Sequence, residues 1–402
     1  MKTTVSRLLA ASAISLAMAA LSGAAHAQAK PPIKLVHTAP LSGQLGSVGK
    51  LQSIAIDLAV EDINKSGGIN GSLIEIVRYD DQLRPDQGVL RVREAKQNGA
   101  LAVLGPMSST QWETAVATIN QSKIPAINMN SNKPGILGRP YGTRLNTPDD
   151  IGLPEGFAQF IQLFPKAKRV VVMGDVREAA GKAAITEWTK LAKAHGMEVV
   201  GTVEFTSGQT DFSPVAIKLK ELKADIVLSA ILSGDASKLA RELQIQAVTT
   251  PILCNSLIYP GVFPQTVTKS VGEQAKQWYT VGQASNDYAT GDLPKYKAFV
   301  ERYVAAIAKD SALSQFQPPN VSNASLGYDA VLLVAEVAHK QGIDGAMNID
   351  TARDKLRDGI NAYKSFRGVN EIKFSDKGDG AVKMGVLQVD PATSTWKFAQ
   401  AK

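Results

Sequence analysis

ALAVLGPMSSTQWETAVATIN, residues 100–120, sets an apolar run, a Gly-Pro break, three hydroxyls and a helical pattern in that order. The run Ala100–Leu104 has the length and composition of a fully buried strand. Past Gly105-Pro106, apolar side chains return at helical spacing at Trp112, Ala115, Val116 and Ile119. Ser108, Ser109 and Thr110 therefore stand where a buried strand ends and a helix begins. Thr110 with Glu113 three residues on reads as a capping box, which accounts for the threonine but not for the two serines. In open parallel sheets ligands sit beyond the carboxyl ends of the strands, and the free N–H groups of a helix start favour an anion there. The next apolar run ends in Asn130, Ser131 and Asn132, so two neighbouring strand ends are polar. The pattern points to a small carboxylate site; capping alone is the competing reading.

Working outward, the same strand–helix unit recurs. Short apolar runs begin at Ile33, Leu73, Ala100, Ile124, Arg169, Glu198, Ala224, Pro251 and Trp278, with helical periods between them. In the first helix the periodic positions are Leu51, Ile54, Ala55, Leu58, Ala59 and Ile63, and Gly67-Gly68 ends it. Such repeats imply parallel sheets covered by helices on both faces. One series runs from Ile33 to about 146 and a second from about 169 to 257. The Pro-, Gly- and Asp-rich stretch PYGTRLNTPDDIGLPEG (140–156) connects them. Near the end, EIKFSDKGDGAVKMGVLQVD (371–390) has a hairpin pattern with DKGDG as its turn. No segment matches another as an internal repeat.

Residues 1–27 read as a secretory signal peptide: Lys2 and Arg7, the apolar run LLAASAISLAMAAL, then Ala25-His26-Ala27 as an A-x-A cleavage site. An exported mature chain beginning at Gln28 is expected, in the periplasm. Cys254 is the only cysteine, which rules out an internal disulfide. The formal charge of the 402-residue chain is +7, and no Lys/Arg run alternates with aromatics, so nucleic acid is a poor partner.

Catalytic and cofactor motifs do not emerge. The histidines beyond the signal, His37, His195 and His339, have no metal-ligand spacing, and no zinc site is expected. There is no G-x-S-x-G. GQLGSVGK (43–50) misses both the phosphate-loop and the dinucleotide glycine spacing, although Asp80 and Asp81 mimic a ribose-binding acid. A turn-and-cap role for Asp80 and Asp81 and an interior role for His37 are the plainer readings. No catalytic residue, metal or cofactor is assigned.

Four segments resemble one family: TAPLSGQLGSVG (38–49), AIDLAVEDINKSGGINGSLIEIVRYDD (55–81), AVLGPMSST (102–110) and FSDKGDG (374–380). They are similar to type I periplasmic binding proteins of the branched-chain amino acid transport class, the Leu/Ile/Val-binding components of ABC importers. The resemblance implies two Rossmann-like α/β lobes with parallel sheets joined by three hinge crossovers. Residues 28–148 plus 282–362 would form lobe I, and 149–281 plus 363–402 lobe II. It implies a protein that carries a small molecule to an inner-membrane permease and does no chemistry; the sequence shows no sign of a stable oligomer, and a monomer is expected. A sensory receptor of the same fold and, less well supported, an exported α/β enzyme are the rivals.

The resemblance also places a ligand carboxylate at Ser108, Ser109 and Thr110, with Asn130, Ser131 and Asn132 beside it. It places the side-chain pocket at Val48, Ala179 and Leu232; Trp112 joins them as a candidate wall, although its helical stripe makes core packing its default role. The family's acid for an ammonium group falls at Asn255 or Ser256, neither acidic. That departure favours a carboxylate without an α-amino group, aromatic or a keto acid. Arg177 and Asp235 remain candidate contacts from the opposing lobe, Arg177 for a carboxylate and Asp235 for an ammonium; a solvated arginine and a helix-capping aspartate are the alternatives.

Overall fold

The nine apolar runs are all strands in the computed structural model, which describes residues 30–259, 262–283, 294–314 and 321–399. The signal-peptide segment lies outside the described residues. In lobe I, β1 (Ile33–Ala39), β2 (Ile74–Asp80), β3 (Ala102–Leu104), β4 (Ala126–Asn128) and β5 (Gly142–Arg144) pair in parallel, in the order β2-β1-β3-β4-β5. Strands β3 and β4 are buried throughout, as near-continuous apolar runs in a covered parallel sheet should be. Strand β5 lies inside the stretch read as a connection. Its three residues are too few to show a period, and its place is fixed by tertiary contacts: the buried Arg144 guanidinium donates to Asp379 Oδ1 from Nε (2.9 Å) and Nη2 (2.6 Å).

The first helix, α1 (Gly46–Lys65), buries Leu51, Ala55, Ile56 and Ala59, and the chain turns away at Gly67 (φ 96°) and Gly68 (φ 75°). Helices α2 (Pro85–Gln97) and α3 (Ser109–Ser122) complete this βα series. The chain then enters lobe II through α4 (Asp149–Leu163). There β6 (Arg169–Asp175), β7 (Glu198–Phe205), β8 (Ile226–Ala230), β9 (Ile252–Cys254) and β10 (Trp278–Gln283) repeat the pattern, in the parallel order β7-β6-β8-β9-β10. Helices α5 (Ala179–Ala194), α6 (Ser213–Leu222), α7 (Ser233–Ile245) and α8 (Phe263–Val271) belong to this series. After β10 the chain returns to lobe I with α9 (Pro294–Lys309), α10 (Ser322–Lys340) and α11 (Ile349–Ala362).

The hairpin near the end is divided between the lobes. Strands β11 (Ser365–Arg367), β12 (Glu371–Phe374) and β13 (Gly380–Ala381) form a small antiparallel sheet, with residues 375–379 as its turn. This sheet is held by lobe I, not by lobe II as the boundary at 363 implied. The buried Asp329 of α10 accepts the N–H groups of Val369 and Asn370, and Arg144 N–H donates to Gly378 O. The third crossing comes only after β13, where β14 (Met384–Asp390) pairs antiparallel with β10 and β15 (Thr395–Phe398) with β14. Among the described residues no helix is long and apolar enough to cross a membrane.

Candidate functional site

Both sheets have the order in which the strand sequence reverses beside the first strand, between β1 and β3 in lobe I and between β6 and β8 in lobe II. Ligands bind in the crevice beyond the carboxyl ends at such a switch point. Here the two crevices face each other and share one cavity of about 60 Å³, room for a few waters. Lobe I lines it with Leu45, Val48, Leu83, Met107, Ser108 and Ser109, and with Asn130 and Asn132 after β4. Lobe II contributes Glu178 after β6, Leu232 after β8, and Ser256 and Leu257 after β9. The wall is thus apolar on most sides, with a polar end at the start of α3.

At that polar end the three hydroxyls divide the work differently from the sequence expectation. Ser108 is the N-cap: its Oγ accepts the Gln111 N–H at 3.1 Å and the Gln111 side chain accepts the Ser108 N–H at 3.2 Å. The capping box is therefore Ser108 with Gln111, and not Thr110 with Glu113, whose carboxylate pairs with Lys133 instead. Ser109 begins the helix; its Oγ shares a hydrogen bond with Ser131 Oγ (3.0 Å) and accepts the Lys133 N–H (3.3 Å). Thr110 faces lobe II. Its hydroxyl accepts the Ala179 N–H at 3.0 Å, and its own N–H donates to Glu178 Oε1 at 3.1 Å. The pair forms a reciprocal clasp across the cleft between the first turns of α3 and α5.

A second inter-lobe node lies behind the cavity. The Asn132 amide donates to Asp149 Oδ1 (3.0 Å) and to Ser256 Oγ (3.2 Å), while the Asn255 amide donates to Asp149 Oδ2 (2.9 Å). Both amide hydrogens of Asn132 are engaged, so it struts the lobes as well as lining the cavity. Asp149 is fully enclosed, and burial pushes its carboxyl up to about 7 against the opposing pull of the two amides. Asn255 stands one layer behind Ser256, its Oδ1 accepting the Leu257 N–H. Asn130 is set from the other side: Gln52 Nε2 donates to its Oδ1 at 2.9 Å, and Gln52 Oε1 meets His37 Nε2 at 3.4 Å. Burial lowers His37 to about 4, so the ring is neutral near pH 7 and serves as the interior residue expected of it.

Asp80 and Asp81 act as turn residues. Asp80 Oδ1 accepts the Gln82 N–H and Asp81 Oδ1 the Leu83 N–H, both at 3.0 Å. Gln82 (φ 53°) and Leu83 (φ 62°) are held left-handed as a result, which is uncommon for such side chains and puts Leu83 on the cavity wall.

Other candidates lie elsewhere. Trp112 is buried in the lobe I core with Val36, Val92, Ala115 and Ile119, away from the cavity. Arg177 is exposed and does not line the cavity, and Ala179 lies beside it at the clasp. Asp235 is buried in the first turn of α7 and bound to the Gly208 N–H (2.9 Å) and Lys238 Nζ (3.1 Å), which makes it a local tie and not a wall residue. Glu178, which sequence reasoning passed over between Arg177 and Ala179, is on the wall. Burial raises its carboxyl above the ordinary range; the hydrogen bonds from Thr110 oppose this, and Asp175 adds a like charge. The available signal was its position, an acid at the last residue before a helix that follows a strand end.

The family comparison decides the class. A model described as "Periplasmic binding protein" matches residues 32–394. The chain belongs to the periplasmic binding protein family. Within it, this binding protein is of the type I, branched-chain amino acid class. It is 25% identical over 365 residues to the leucine-, isoleucine-, valine-, threonine- and alanine-binding protein of Pseudomonas aeruginosa, spanning 90% of this chain and 91% of that one. Among solved structures it superposes on the LivJ substrate-binding protein of Streptococcus pneumoniae in complex with isoleucine, with TM-score 0.76, 23% identity and coverage of 91% and 98% of the two chains. A solute-binding protein from R. palustris in complex with benzoate is similar in fold too, at TM-score 0.76, 20% identity and coverage of 91% and 96%.

Proposed function

We propose that this binding protein captures a small carboxylate with an apolar body in the periplasm and delivers it to an inner-membrane ABC permease. The observation that carries this reading is the shared cavity at the two switch points. The start of α3, with Ser108 and Ser109, supplies the anion end, and Leu45, Val48, Leu83, Met107, Leu232 and Leu257 supply the apolar body. A ligand that touches both walls favours the closed form over the open one by its differential contacts, and closure is then a hinge motion at the three crossings. The protein acts as a monomeric receptor without a cofactor or catalytic group.

Two features bear on which carboxylate. The absence of an acid at Asn255 and Ser256 favours an amine-free acid, aromatic or a keto acid. Glu178 on the lobe II wall favours an apolar amino acid, as does the name of the Pseudomonas relative. A thermal-shift screen of refolded, ligand-free protein against leucine, isoleucine, phenylalanine, phenylpyruvate, benzoate and hydroxycinnamates tests the class. A true ligand at a hundred times its dissociation constant adds about 2.7 kcal/mol. No stabilisation by any of these acids would sink the reading.

A further inference from the structure

A row of side chains runs inward from the cavity, from Asn130 on its wall through Gln52 of α1 to His37 of β1, the last two buried. Lobe I holds every polar group of Asn130 but one. Its N–H donates to Asn128 Oδ1, its carbonyl accepts the Asn146 amide and its Oδ1 accepts Gln52 Nε2, each at 2.9 Å. Its Nδ2 has no hydrogen-bond partner among the described residues, and the residue lines the cavity. Gln52 stands behind it and does not line the cavity.

The direction of this row decides what Asn130 offers. A side-chain amide donates at one end and accepts at the other, and a neutral imidazole donates from one nitrogen only. His37 Nε2 stands 3.4 Å from Gln52 Oε1, and Nδ1 stands 3.2 Å from Ser53 Oγ, which is itself 3.0 Å from Gly49 O. With the ring hydrogen on Nε2, Gln52 Oε1 accepts it, Gln52 Nε2 turns to Asn130 Oδ1, and Asn130 Nδ2 is left for the cavity. With the hydrogen on Nδ1, shared with Ser53, both amides would turn over and the cavity would meet an oxygen. The structure has the first arrangement. It sets an N–H donor on the same wall as Ser108 and Ser109, and an ionised carboxylate accepts hydrogen bonds and donates none.

We infer that Gln52 is a positioning residue for the ligand: it passes the tautomer of His37 to Asn130 and so keeps an amide donor facing the bound acid; the inference rests on the carboxylate reading above. The test is a double-mutant cycle by calorimetric titration of refolded wild type, Asn130→Ala, Gln52→Met and the double variant, with leucine, phenylpyruvate and benzoate as probes. For a probe that binds wild type, Asn130→Ala should lose about tenfold in affinity, as for a lost hydrogen bond to a charged group, and Gln52→Met about three- to tenfold. The double variant should bind no more weakly than Asn130→Ala, because Gln52 acts through Asn130. Asn130→Asp, which keeps the acceptor for Gln52 and puts an oxygen in place of the free N–H, should bind more weakly than Asn130→Ala. Melting curves check that each variant is folded. Nitrogen NMR shifts of the His37 ring in wild type need no variant and should place its hydrogen on Nε2. A hydrogen on Nδ1, full affinity in Gln52→Met or Asn130→Asp, or a double variant weakened by the product of the single losses overturns the inference and leaves the carboxylate reading standing. Failure of every probe to bind wild type overturns both.

Discussion

The helices that meet across the cleft, α3 of lobe I and α5 of lobe II, follow strands that flank their sheets' switch points, but they start in different ways. Helix α3 is closed by its own Ser108–Gln111 box and is complete without its partner. Helix α5 has no side-chain cap of its own; its Ala179 N–H is satisfied by Thr110 from the other lobe, and its N-cap side chain, Glu178, leaves to cross the cleft. Lobe I thus caps its helix with its own side chain, whereas the helix end of lobe II is completed by contact with lobe I.

Where the two lobes are alike, the largest effects should be alike. A Cβ at Gly49 in α1 would lie 2.0 Å from Pro40 O, and one at Gly181 in α5 would lie 2.1 Å from Asp175 O. Each glycine lets the helix pass a carbonyl at, or one residue beyond, the end of the strand before it. Gly49→Ala and Gly181→Ala should each cost about 3 kcal/mol by denaturant unfolding. A cost in only one lobe would show that the lobes do not share this packing device.

Where the lobes differ, paired serines separate stability from binding. Ser109→Ala should weaken ligand binding by about ten- to a hundredfold with little change in melting temperature. Ser108→Ala should remove about 1 kcal/mol of stability as a lost cap. Calorimetry and melting curves on both variants check this, and exchanged phenotypes would reverse the assignment.

The buried acids sharpen the contrast between the lobe interface and a lobe interior. Asp149 between the lobes and Asp329 inside lobe I both stand at about 7, raised by burial from an ordinary value near 3.8. The folded chain therefore keeps protons that the unfolded chain releases. The stability this contributes is full below about pH 4 and is lost as pH rises through 7, at up to about 1.4 kcal/mol per pH unit for each group. Unfolding measured at pH 5 and pH 8 should show wild type less stable at the higher pH and Asp149→Asn with a shallower loss, since Asp329 remains. An unchanged slope in Asp149→Asn would remove Asp149 from the account.

The smallest expected effect tests the clasp directly. Thr110→Val removes the acceptor for the Ala179 N–H and should weaken ligand affinity by roughly fivefold, about 1 kcal/mol, through the closed state alone. A larger loss of global stability would mean that the clasp also holds lobe II folded.

The strands, the first helix and its glycine stop were legible because apolar period and turn chemistry are local. Strand β5 was not, because three residues carry no period and its place comes from Arg144 reaching Asp379. Ser109, Asn130, Asn132, Val48, Leu232 and Ser256 were legible as wall residues from strand-end position and family resemblance. Trp112 was placed better by its helical stripe than as a pocket wall. Thr110 was misread as a cap because a capping box and an inter-lobe contact demand the same residue type.

By itself the sequence determined the βα alternation, the two series and the polar strand ends, since each follows from side chains near one another along the chain. Only the tertiary structure decided that residues 363–381 stay with lobe I, that Asp235 serves a local tie, and that Glu178 enters the cavity. Those outcomes depend on groups from separate segments meeting in the folded chain, within a lobe for Asp235 and residues 363–381 and between lobes for Glu178, and no local pattern encodes such meetings.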